Sequence, residues 1–297
     1  MWILSLLFGC SDSNYHKKGG KWHYDGVPVD RVNEPVNFVV IDSNFAKDDQ
    51  TAFYQGSRIY HGNEPSDGAT FEVLNTWYAK DKYRVYHCDT ERDGKEYWTV
   101  KRIVITVVAM ADPATFRMMR DGYTPRDNAH VFQGVKAVPI RDIDSYGLLE
   151  HGFSKDKSIA YYKTTEIAVS DPSTFVVLDE HYAKDKSRVY FVEGFFLGGF
   201  IKNVHAESFK ALGDGYARDG NRGYYKGAVI TNTDAQSLVN LNHMGYAKTN
   251  GQVFHDGQLM PDADAASFKQ ADKFDPKFDA TDKTGMFSAG ARVKATP

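Results

Sequence analysis

The strongest constraint on this chain is a ten-residue block that recurs eight times. Its copies begin at Phe45, Tyr78, Tyr123, Phe153, Tyr182, Tyr216, Tyr246 and Phe278. The successive steps are 33, 45, 30, 29, 34, 30 and 32 residues. Self-similarity with a period of roughly 20 to 50 residues is typical of arrays whose units bury their apolar faces against one another. The chain is therefore predicted to be a tandem array of one small unit.

Each block is predicted to be a β-hairpin that turns at its fifth and sixth residues. Asn250-Gly251 and Gly220-Asn221 occupy these positions in two copies, and such pairs favour two-residue hairpin turns. The same alignment places the turn at Asp127-Asn128 in the third copy and at Asp282-Lys283 in the last. Residue four then opposes residue seven, and residue one opposes residue ten. The expected pairs are Asp81 with Arg84, Asp185 with Arg188, Asp219 with Arg222, Phe45 with Tyr54, Tyr182 with Phe191, and Tyr216 with Tyr225.

A second motif follows the hairpins, with its best copies at Ala111 to Met119 and at Ser170 to Leu178. Asp171 suits a helix N-cap, and Pro172 falls at the first helical position, where proline costs no hydrogen bond. Phe175 and Leu178 then share one helical face. The predicted fold class is an α+β repeat array of tandem antiparallel β-hairpins, arranged as a meander, each followed by a short capped helix.

The domain boundaries follow from this pattern. Residues 1–20 are assigned to a signal and tether, residues 21–288 to the array, and residues 289–297 to a loose tail. Lys21 to Val29, with Glu34 to Ile41, forms an incomplete first unit, and the hairpin at Phe278 forms an incomplete last one. Residues 88–110 lengthen one step of the array, either as a longer hairpin or as an extra strand pair.

The first ten residues, MWILSLLFGC, resemble a bacterial lipoprotein signal. In that resemblance Leu7-Phe8-Gly9-Cys10 is the lipobox and Cys10 becomes the acylated first residue of the mature chain. The resemblance implies a membrane-anchored protein of the cell envelope, and Ser11 implies the outer membrane if the organism has one. The alternative is that this run forms a buried first strand of a cytoplasmic protein. With Cys10 acylated, Cys88 has no cysteine to pair with.

The hairpins resemble the DKNYY repeat family of bacterial envelope proteins. The family's Asp-Lys-x-x-x-Tyr-Tyr core matches Asp156, Lys157, Tyr161 and Tyr162, and the likeness extends from about residue 21 to residue 287. Two further copies match closely, from Asp81-Lys82 through Tyr86 and from Asp185-Lys186 through Tyr190. The resemblance implies exported or lipid-anchored proteins. It supplies no activity and no catalytic residues.

Composition and charge narrow the class of protein. The sequence is 42% hydrophobic and 25% charged, as in ordinary globular proteins, and its formal net charge is -3. The Lys and Arg residues are spread through the repeats, which argues against nucleic acid as a partner. The 18 Tyr and 19 Phe residues favour strands over helical bundles.

Motifs that carry chemistry are not found. The segment from Asp89 to Val100 alternates acidic residues as a calcium loop does, but Val100 stands where a bidentate Glu is required. The ten His residues form no HExxH pair, and the sequence contains no GxSxG, Walker or GxGxxG motif. No catalytic, cofactor or metal site is therefore predicted. Cys10, as a lipidation site, is the only functional residue assigned.

The sequence is compatible with three functions. The first is a non-catalytic, lipid-anchored binding or scaffold protein whose partner is another envelope protein. The second is a module that binds carbohydrate or cell-wall glycan through exposed aromatic residues such as Trp22, Trp77 and Trp98. The third is an enzyme with a site in the insertion at residues 88–110, where Asp89, Glu91, Asp93 and Glu96 lie close together in sequence.

Overall fold

The computed structural model describes residues 14–29, 37–92, 101–241, 244–275 and 277–293. Within these ranges the chain consists of strands and turns and contains no helix. The predicted α+β class is therefore wrong, and the fold is all-β. The chain divides into two compact units, residues 1–143 and residues 144–297. Both units are built from the same small antiparallel sheet.

The described residues of the first unit form one three-stranded sheet, three four-stranded sheets and one two-stranded sheet. The strands are β1 (Tyr15–Lys18), β2 (Lys21–Tyr24), β3 (Val27–Pro28), β4 (Val39–Val40), β5 (Phe45–Lys47), β6 (Ala52–Tyr54), β7 (Ser57–Arg58), β8 (Tyr60–His61), β9 (Glu64–Pro65), β10 (Glu72–Val73), β11 (Tyr78–Lys80), β12 (Val85–Arg92), β13 (Lys101–Val107), β14 (Arg117–Met118), β15 (Pro125–Arg126), β16 (Val131–Gln133) and β17 (Lys136–Val138).

In the second unit, the described residues form five four-stranded sheets. The strands are β18 (Gly147–Leu148), β19 (Phe153–Lys155), β20 (Ala160–Tyr162), β21 (Thr165–Ile167), β22 (Val176–Val177), β23 (Tyr182–Lys184), β24 (Val189–Glu193), β25 (Phe196–Phe200), β26 (Lys210–Gly213), β27 (Tyr216–Arg218), β28 (Gly223–Tyr225), β29 (Ala228–Ile230), β30 (Val239–Asn240), β31 (Tyr246–Lys248), β32 (Val253–His255), β33 (Gln258–Leu259), β34 (Lys269–Asp275), β35 (Phe278–Asp282), β36 (Gly285–Ser288) and β37 (Ala291–Arg292).

Each four-stranded sheet is a meander in chain order, and its second and third strands are the predicted hairpin. In β23 and β24, Tyr182 pairs with Phe191, and the backbone N–H of Asp185 donates to the carbonyl of Arg188 at 2.9 Å. The predicted pairs Phe45 with Tyr54 and Tyr216 with Tyr225 are also observed. The hairpin prediction is therefore confirmed, including its register in these repeats.

Two hairpins are shifted by one residue from the predicted register. The N–H of Asp127 donates to the carbonyl of His130, so this turn is Asn128-Ala129 rather than Asp127-Asn128. Asp282 pairs with Gly285, so the last turn is Lys283-Thr284. The Asp that precedes the turn fixes the register, whereas the prediction aligned the copies on their first aromatic residue. These two blocks therefore begin at residues 124 and 279.

The predicted helices are single turns. The carbonyl of Asp112 accepts the N–H of Thr115 at 3.2 Å and that of Phe116 at 2.9 Å, and β14 begins at the next residue. A first helical turn is costly and is repaid only when further turns follow. In the matching segment, Phe175 is followed by Val176 and Val177, whose branched side chains favour the strand β22. The acidic residues do cap these segments, but what they cap is a turn.

Adjacent repeats share their cores through a ladder of rings. Phe175 lies between Phe153 of the repeat before it and Tyr190 of its own repeat, with ring centroids 6.0 Å and 5.8 Å apart. Phe209 is placed in the same way between Tyr182 and Tyr224, at 5.3 Å and 5.6 Å. Burial of these rings is the main favourable contribution to the free energy of folding, and it requires a neighbouring repeat.

The sequence pattern missed one copy of the block. Tyr15 pairs with Tyr24 across β1 and β2, with Gly19-Gly20 at the turn, so Tyr15 to Tyr24 is a further ten-residue hairpin. Its strand β1 lies within residues 1–20, which were assigned to the signal and tether. At the other end, β37 lies within residues 289–297, which were assigned to the tail. The Gly-Gly pair was the available signal.

The insertion at residues 88–110 is a longer hairpin rather than an extra strand pair. β12 and β13 pair over seven residue positions, from Tyr86 with Val107 to Arg92 with Lys101. Residues 93–100 lie outside the described ranges. The hairpin extends the third and fourth strands of an ordinary repeat.

Ser154 offers a direct test of how the core is packed. Its hydroxyl is buried without a hydrogen-bond partner among the described residues. The matching position in six other repeats is a fully buried alanine: Ala46, Ala79, Ala183, Ala217, Ala247 and Ala280. We expect Ser154→Ala to raise the free energy of unfolding by about 1 kcal/mol, because it removes an unpaired buried hydroxyl. Urea denaturation measures the change, and the exposed Ser187→Ala is the control. A fall in stability for Ser154→Ala would contradict this packing.

Candidate functional site

The polar centre of the repeat is the aspartate at the hairpin turn. Asp185 Oδ1 accepts the backbone N–H groups of Ser187 and Arg188, each at 2.7 Å. Asp185 Oδ2 accepts the hydroxyl of Tyr190 at 2.7 Å and the backbone N–H of Asp171 at 3.0 Å. The carboxylate is buried, and the four donors satisfy both of its oxygens. We call this arrangement the Asp node.

The Asp node recurs along the chain. Asp81 and Asp219 each make the same four hydrogen bonds, with Tyr86 and Tyr224 as hydroxyl donors. Asp156 bonds the two turn N–H groups and the hydroxyl of Tyr161. Other repeats have Phe in place of the tyrosine and keep the two turn bonds, and Asp127 and Asp282 also accept the backbone N–H groups of Asp112 and Asp264. Their Asp and Phe are Asp48 with Phe53, Asp127 with Phe132, and Asp282 with Phe287.

Burial and hydrogen bonding act in opposite directions on the Asp node. Burial alone would raise the pKa of Asp185, but the Tyr190 hydroxyl and the backbone N–H groups bring that pKa below its ordinary value. Burial and the bond to Asp185 both raise the pKa of the Tyr190 hydroxyl. At neutral pH the carboxylate is therefore charged and the tyrosine protonated. Neither group is poised to exchange a proton with a substrate.

The lysine after the aspartate lies at the surface beside the Asp node. Lys186 pairs with Asp171 at 3.0 Å, and Lys82 with Asp67 at 2.7 Å, in each case reaching the acid that starts the preceding turn. The predicted Asp with Arg pairs are opposite one another in the backbone, but their side chains do not meet as an ion pair. Arg188 donates instead to the carbonyl of Val169 at 3.2 Å. The aspartate binds the backbone because those donors are closer to it.

The first aromatic residue of the block fastens its repeat to the next one. The Tyr182 hydroxyl donates to the carbonyl of Gly215 at 2.8 Å and accepts the N–H of Gly227 at 3.0 Å. Three more tyrosines make the same double contact. They are Tyr15 with Asn44 and Gly56, Tyr216 with Gly245 and Gly257, and Tyr246 with Gly290 and, in place of a backbone carbonyl, the carboxylate of Asp279. We call this pair of hydrogen bonds the Tyr latch. Phe45 and Phe153 hold the same position without a hydroxyl.

The third residue of the block caps the turn of the following repeat. Lys184 Nζ donates to the carbonyls of Ala206 at 2.9 Å and Phe209 at 3.2 Å. Lys47, Lys80, Lys155 and Lys248 make similar bonds. A groove of about 410 Å³ beside Lys184 is lined by Thr174, Lys186, Asp185, Ala206 and Glu207. Since Lys184 and Asp185 are already hydrogen-bonded, this groove is part of the junction between repeats.

Comparison with protein-family models decides the identity of the repeat. The model of the DKNYY family matches residues 7–90, 87–194 and 153–291. The chain belongs to the DKNYY family. No curated protein and no solved structure matches it. Four residues of the DKNYY signature thus have a structural role in this chain. The Asp accepts the hydrogen bonds of the node, the Lys pairs with the acid that starts the preceding turn, and the first Tyr donates its hydroxyl to the Asp. The second Tyr packs against the first aromatic residue, as Tyr162 does on Phe153 at 5.0 Å.

The remaining residues singled out in the sequence are scattered. Cys10 lies outside the described residues, and so do Asp93, Glu96, Trp98 and Val100. Cys88 is buried, and burial raises the pKa of its thiol, so it packs as an apolar side chain. Glu91 pairs with Arg102 at 2.5 Å on the lengthened hairpin, and Asp89 caps Thr90. The described part of this insertion is an antiparallel strand pair that brings no acidic cluster together.

The described ranges contain no group of three or more His, Cys, Asp or Glu side chains placed to hold a metal ion. Nor does any helix there have the length and apolar character needed to cross a membrane. Trp22 packs on Phe38 with ring centroids 4.8 Å apart, whereas Trp77 is partly exposed.

The Asp node makes a measurable contribution to stability. We expect Tyr190→Phe to lower the free energy of unfolding by about 1 to 3 kcal/mol, because it removes a donor from a buried carboxylate. Urea denaturation of Tyr190→Phe, Asp185→Asn and the double variant gives their coupling energy. Tyr83→Phe, whose ring is exposed on the surface, is the matched control and should change stability by less than about 0.5 kcal/mol. Equal effects of Tyr190→Phe and Tyr83→Phe would show that the node is not stabilising.

Proposed function

We propose that this DKNYY protein is a non-catalytic binding or scaffold protein of the bacterial cell envelope, held at a membrane by acylated Cys10, with another envelope protein as its partner. One observation carries the non-catalytic part. The recurring Asp, Lys and Tyr side chains form hydrogen bonds within and between repeats, as Asp185, Lys184 and Tyr182 illustrate. What the repeats offer to another molecule is their surface.

The anchoring part rests on the signal-like first ten residues and on where the first repeat begins. Cys10 is five residues before Tyr15, the first residue of β1. A chain of that length spans at most about 18 Å when fully extended. An acyl group on Cys10 would therefore hold the first repeat close to the membrane surface. A membrane anchor of this kind suits a protein that presents a surface to envelope partners.

Intact-mass analysis tests the anchor. The full chain is expressed in a bacterial host and recovered from membrane and soluble fractions. We expect a diacylglyceryl mass on a chain that begins at Cys10 in the wild type and its absence from Cys10→Ser. Cys88→Ala is the control that should keep the modification, since Cys88 is buried. An unmodified wild-type chain that retains Met1 would overturn the proposal and leave a cytoplasmic scaffold.

A second candidate function is binding of cell-wall glycan, and one feature of residues 1–143 favours it. Trp77 and Tyr123 are 39% and 69% exposed, and their ring centroids are 6.3 Å apart. The side chain of Asn75 donates to the carbonyl of Gly122 at 3.0 Å, which joins the two loops that carry the rings. Two neighbouring exposed rings held in place can pack against the apolar faces of sugars.

A pull-down on purified peptidoglycan and surface polysaccharide tests the glycan candidate. We expect the double variant Trp77→Ala/Tyr123→Ala to lose most of the wild-type retention, because both stacking rings are removed. Tyr83→Ala, at an isolated exposed ring, is the control and should be retained as the wild type is. If the wild type itself is not retained, or if the double variant is retained equally, this candidate is excluded.

A further inference from the structure

The hairpin of β24 and β25 carries a phenylalanine at its turn. Apart from the lengthened hairpin of β12 and β13, the third and fourth strands of a repeat are joined by two residues, and in five repeats the second of these is a glycine with φ between 74 and 80°. These glycines are Gly26, Gly56, Gly227, Gly257 and Gly290. The glycine comes first in two other hairpins, with Gly134-Val135 at the turn of β16 and β17 and Gly194-Phe195 at the turn of β24 and β25. Gly194 takes a φ of 59°, as the first residue of a type II′ turn does, so Phe195 is accommodated at the tip.

The same hairpin is longer than its neighbours and carries further exposed phenyl rings. β24 and β25 have five residues each, compared with three each in β28 and β29. Phe195 is 88% exposed, Phe196 67% and Phe200 47%. Phe196 and Phe200 alternate along β25 with half-buried Leu197 and Gly199. We call Phe195, Phe196 and Phe200 the phenyl tip.

The phenyl tip is held in place by contacts on either side. The Tyr162 hydroxyl, from the preceding repeat, donates to the carbonyl of Gly194 at 2.6 Å. Lys163 Nζ lies 3.2 Å from the centroid of the Phe195 ring. On the other side, Glu193 pairs with Lys226 of the following repeat. The rings are therefore displayed by an ordered hairpin, and the tip is bordered by two lysines and one glutamate.

The size and charge of the tip distinguish its possible occupants. From their exposed fractions, the three rings present about 400 Å² of apolar surface. A stable protein dimer buries about 800 Å² on each partner, and a two-fold pairing of tips would also bring the Lys163 side chains of both copies together. A bilayer interface accepts a few aromatic rings without needing a matching surface, and its phosphates attract lysine ammonium groups.

We propose that the phenyl tip inserts into the interface of a phospholipid bilayer, with Lys163 and Lys226 facing the headgroup phosphates. Phe195 and Phe196 enter the boundary between headgroups and acyl chains, while Glu193 stays paired with Lys226. This contact does not require an acyl group on Cys10 or a particular partner for the array. The proposed membrane insertion and the proposed function can therefore be tested independently of one another.

Vesicle flotation tests the phenyl tip. The full chain carries Cys10→Ser, so that no acyl group contributes, and is mixed with vesicles of phosphatidylcholine alone or of phosphatidylcholine with phosphatidylglycerol. We expect binding to both, stronger to the anionic vesicles and weakened there by salt. Phe195→Ser/Phe196→Ser should weaken the partition at least about tenfold, since two rings lose their apolar environment. Lys163→Gln should weaken binding to the anionic vesicles more than to the neutral ones.

The matched control is Val176→Ser/Val239→Ser. These valines are 52% and 47% exposed on β22 and β30, and β22 lies at the opposite edge of the sheet that contains β25. This control should bind as the parent does. Phe196→Trp adds a direct readout, a blue shift of its emission on vesicles. Failure of the parent to bind either vesicle, equal binding by the phenylalanine double variant, or a vesicle-free dimer that this variant abolishes would each overturn the proposal.

Discussion

The fold depends on the hydrogen bonds to the buried Asp carboxylate. Strands of two or three residues bury little surface and have few ladder hydrogen bonds, so each small sheet needs a further constraint. In seven repeats an Asp carboxylate supplies it by closing the hairpin turn, and in four of these the carboxylate also orients a tyrosine inside the core. In the repeat of Tyr246, the hydroxyl of Thr249 accepts the turn N–H groups instead. A buried charge with its donors in place is tolerated, whereas the same charge without them would be strongly destabilising. The node therefore links the local turn to the packing of the repeat.

Stabilisation of the array comes from contacts between repeats more than from any single sheet. The ring of Phe175 contacts aromatic residues of two successive repeats, and the Lys184 ammonium group covers carbonyl groups of the next turn. The Tyr latch adds a hydrogen-bonded connection at the same junctions. These contacts are all between neighbours in sequence, so the energetics are those of a one-dimensional array. Residues whose chemistry would suit catalysis are consequently used to join repeats.

Much of the architecture could be predicted from the sequence because turn dipeptides and alternation are local signals. The hairpin around Tyr182 and Phe191 needed only the spacing of the block and its turn. The prediction of helices at Asp112 and Asp171 was wrong because capping residues specify where a turn starts, and not how far it continues. The one-residue shift at Asp127 arose because an aromatic residue was used as the anchor where the carboxylate sets the register.

The sequence indicated the aspartate of the Asp node but not the groups that bind it. Charge complementarity suggested Arg188 as the partner of Asp185, but the backbone N–H groups two and three residues later are nearer and already aligned. The constant five-residue step from Asp to Tyr, as in Asp156 and Tyr161, was the signal that could have shown it. The phenyl tip was missed for a different reason. Its three phenylalanines read as ordinary strand residues in the sequence, and only the structure shows that their rings are exposed.

The Tyr latch also bears on how such an array can change in length. The latch needs a backbone N–H at a short Gly-containing turn of the next repeat. Phe45 and Phe153 lie in the repeats that precede the two repeats with lengthened third and fourth strands. These lengthened strands are β12 with β13 and β24 with β25. A phenyl ring keeps the packing at these junctions and leaves the next hairpin free to grow. The first aromatic residue of the block is thus tyrosine where the next repeat has a short turn to bind its hydroxyl. It is phenylalanine where the next hairpin is lengthened, so that no buried hydroxyl is left unpaired.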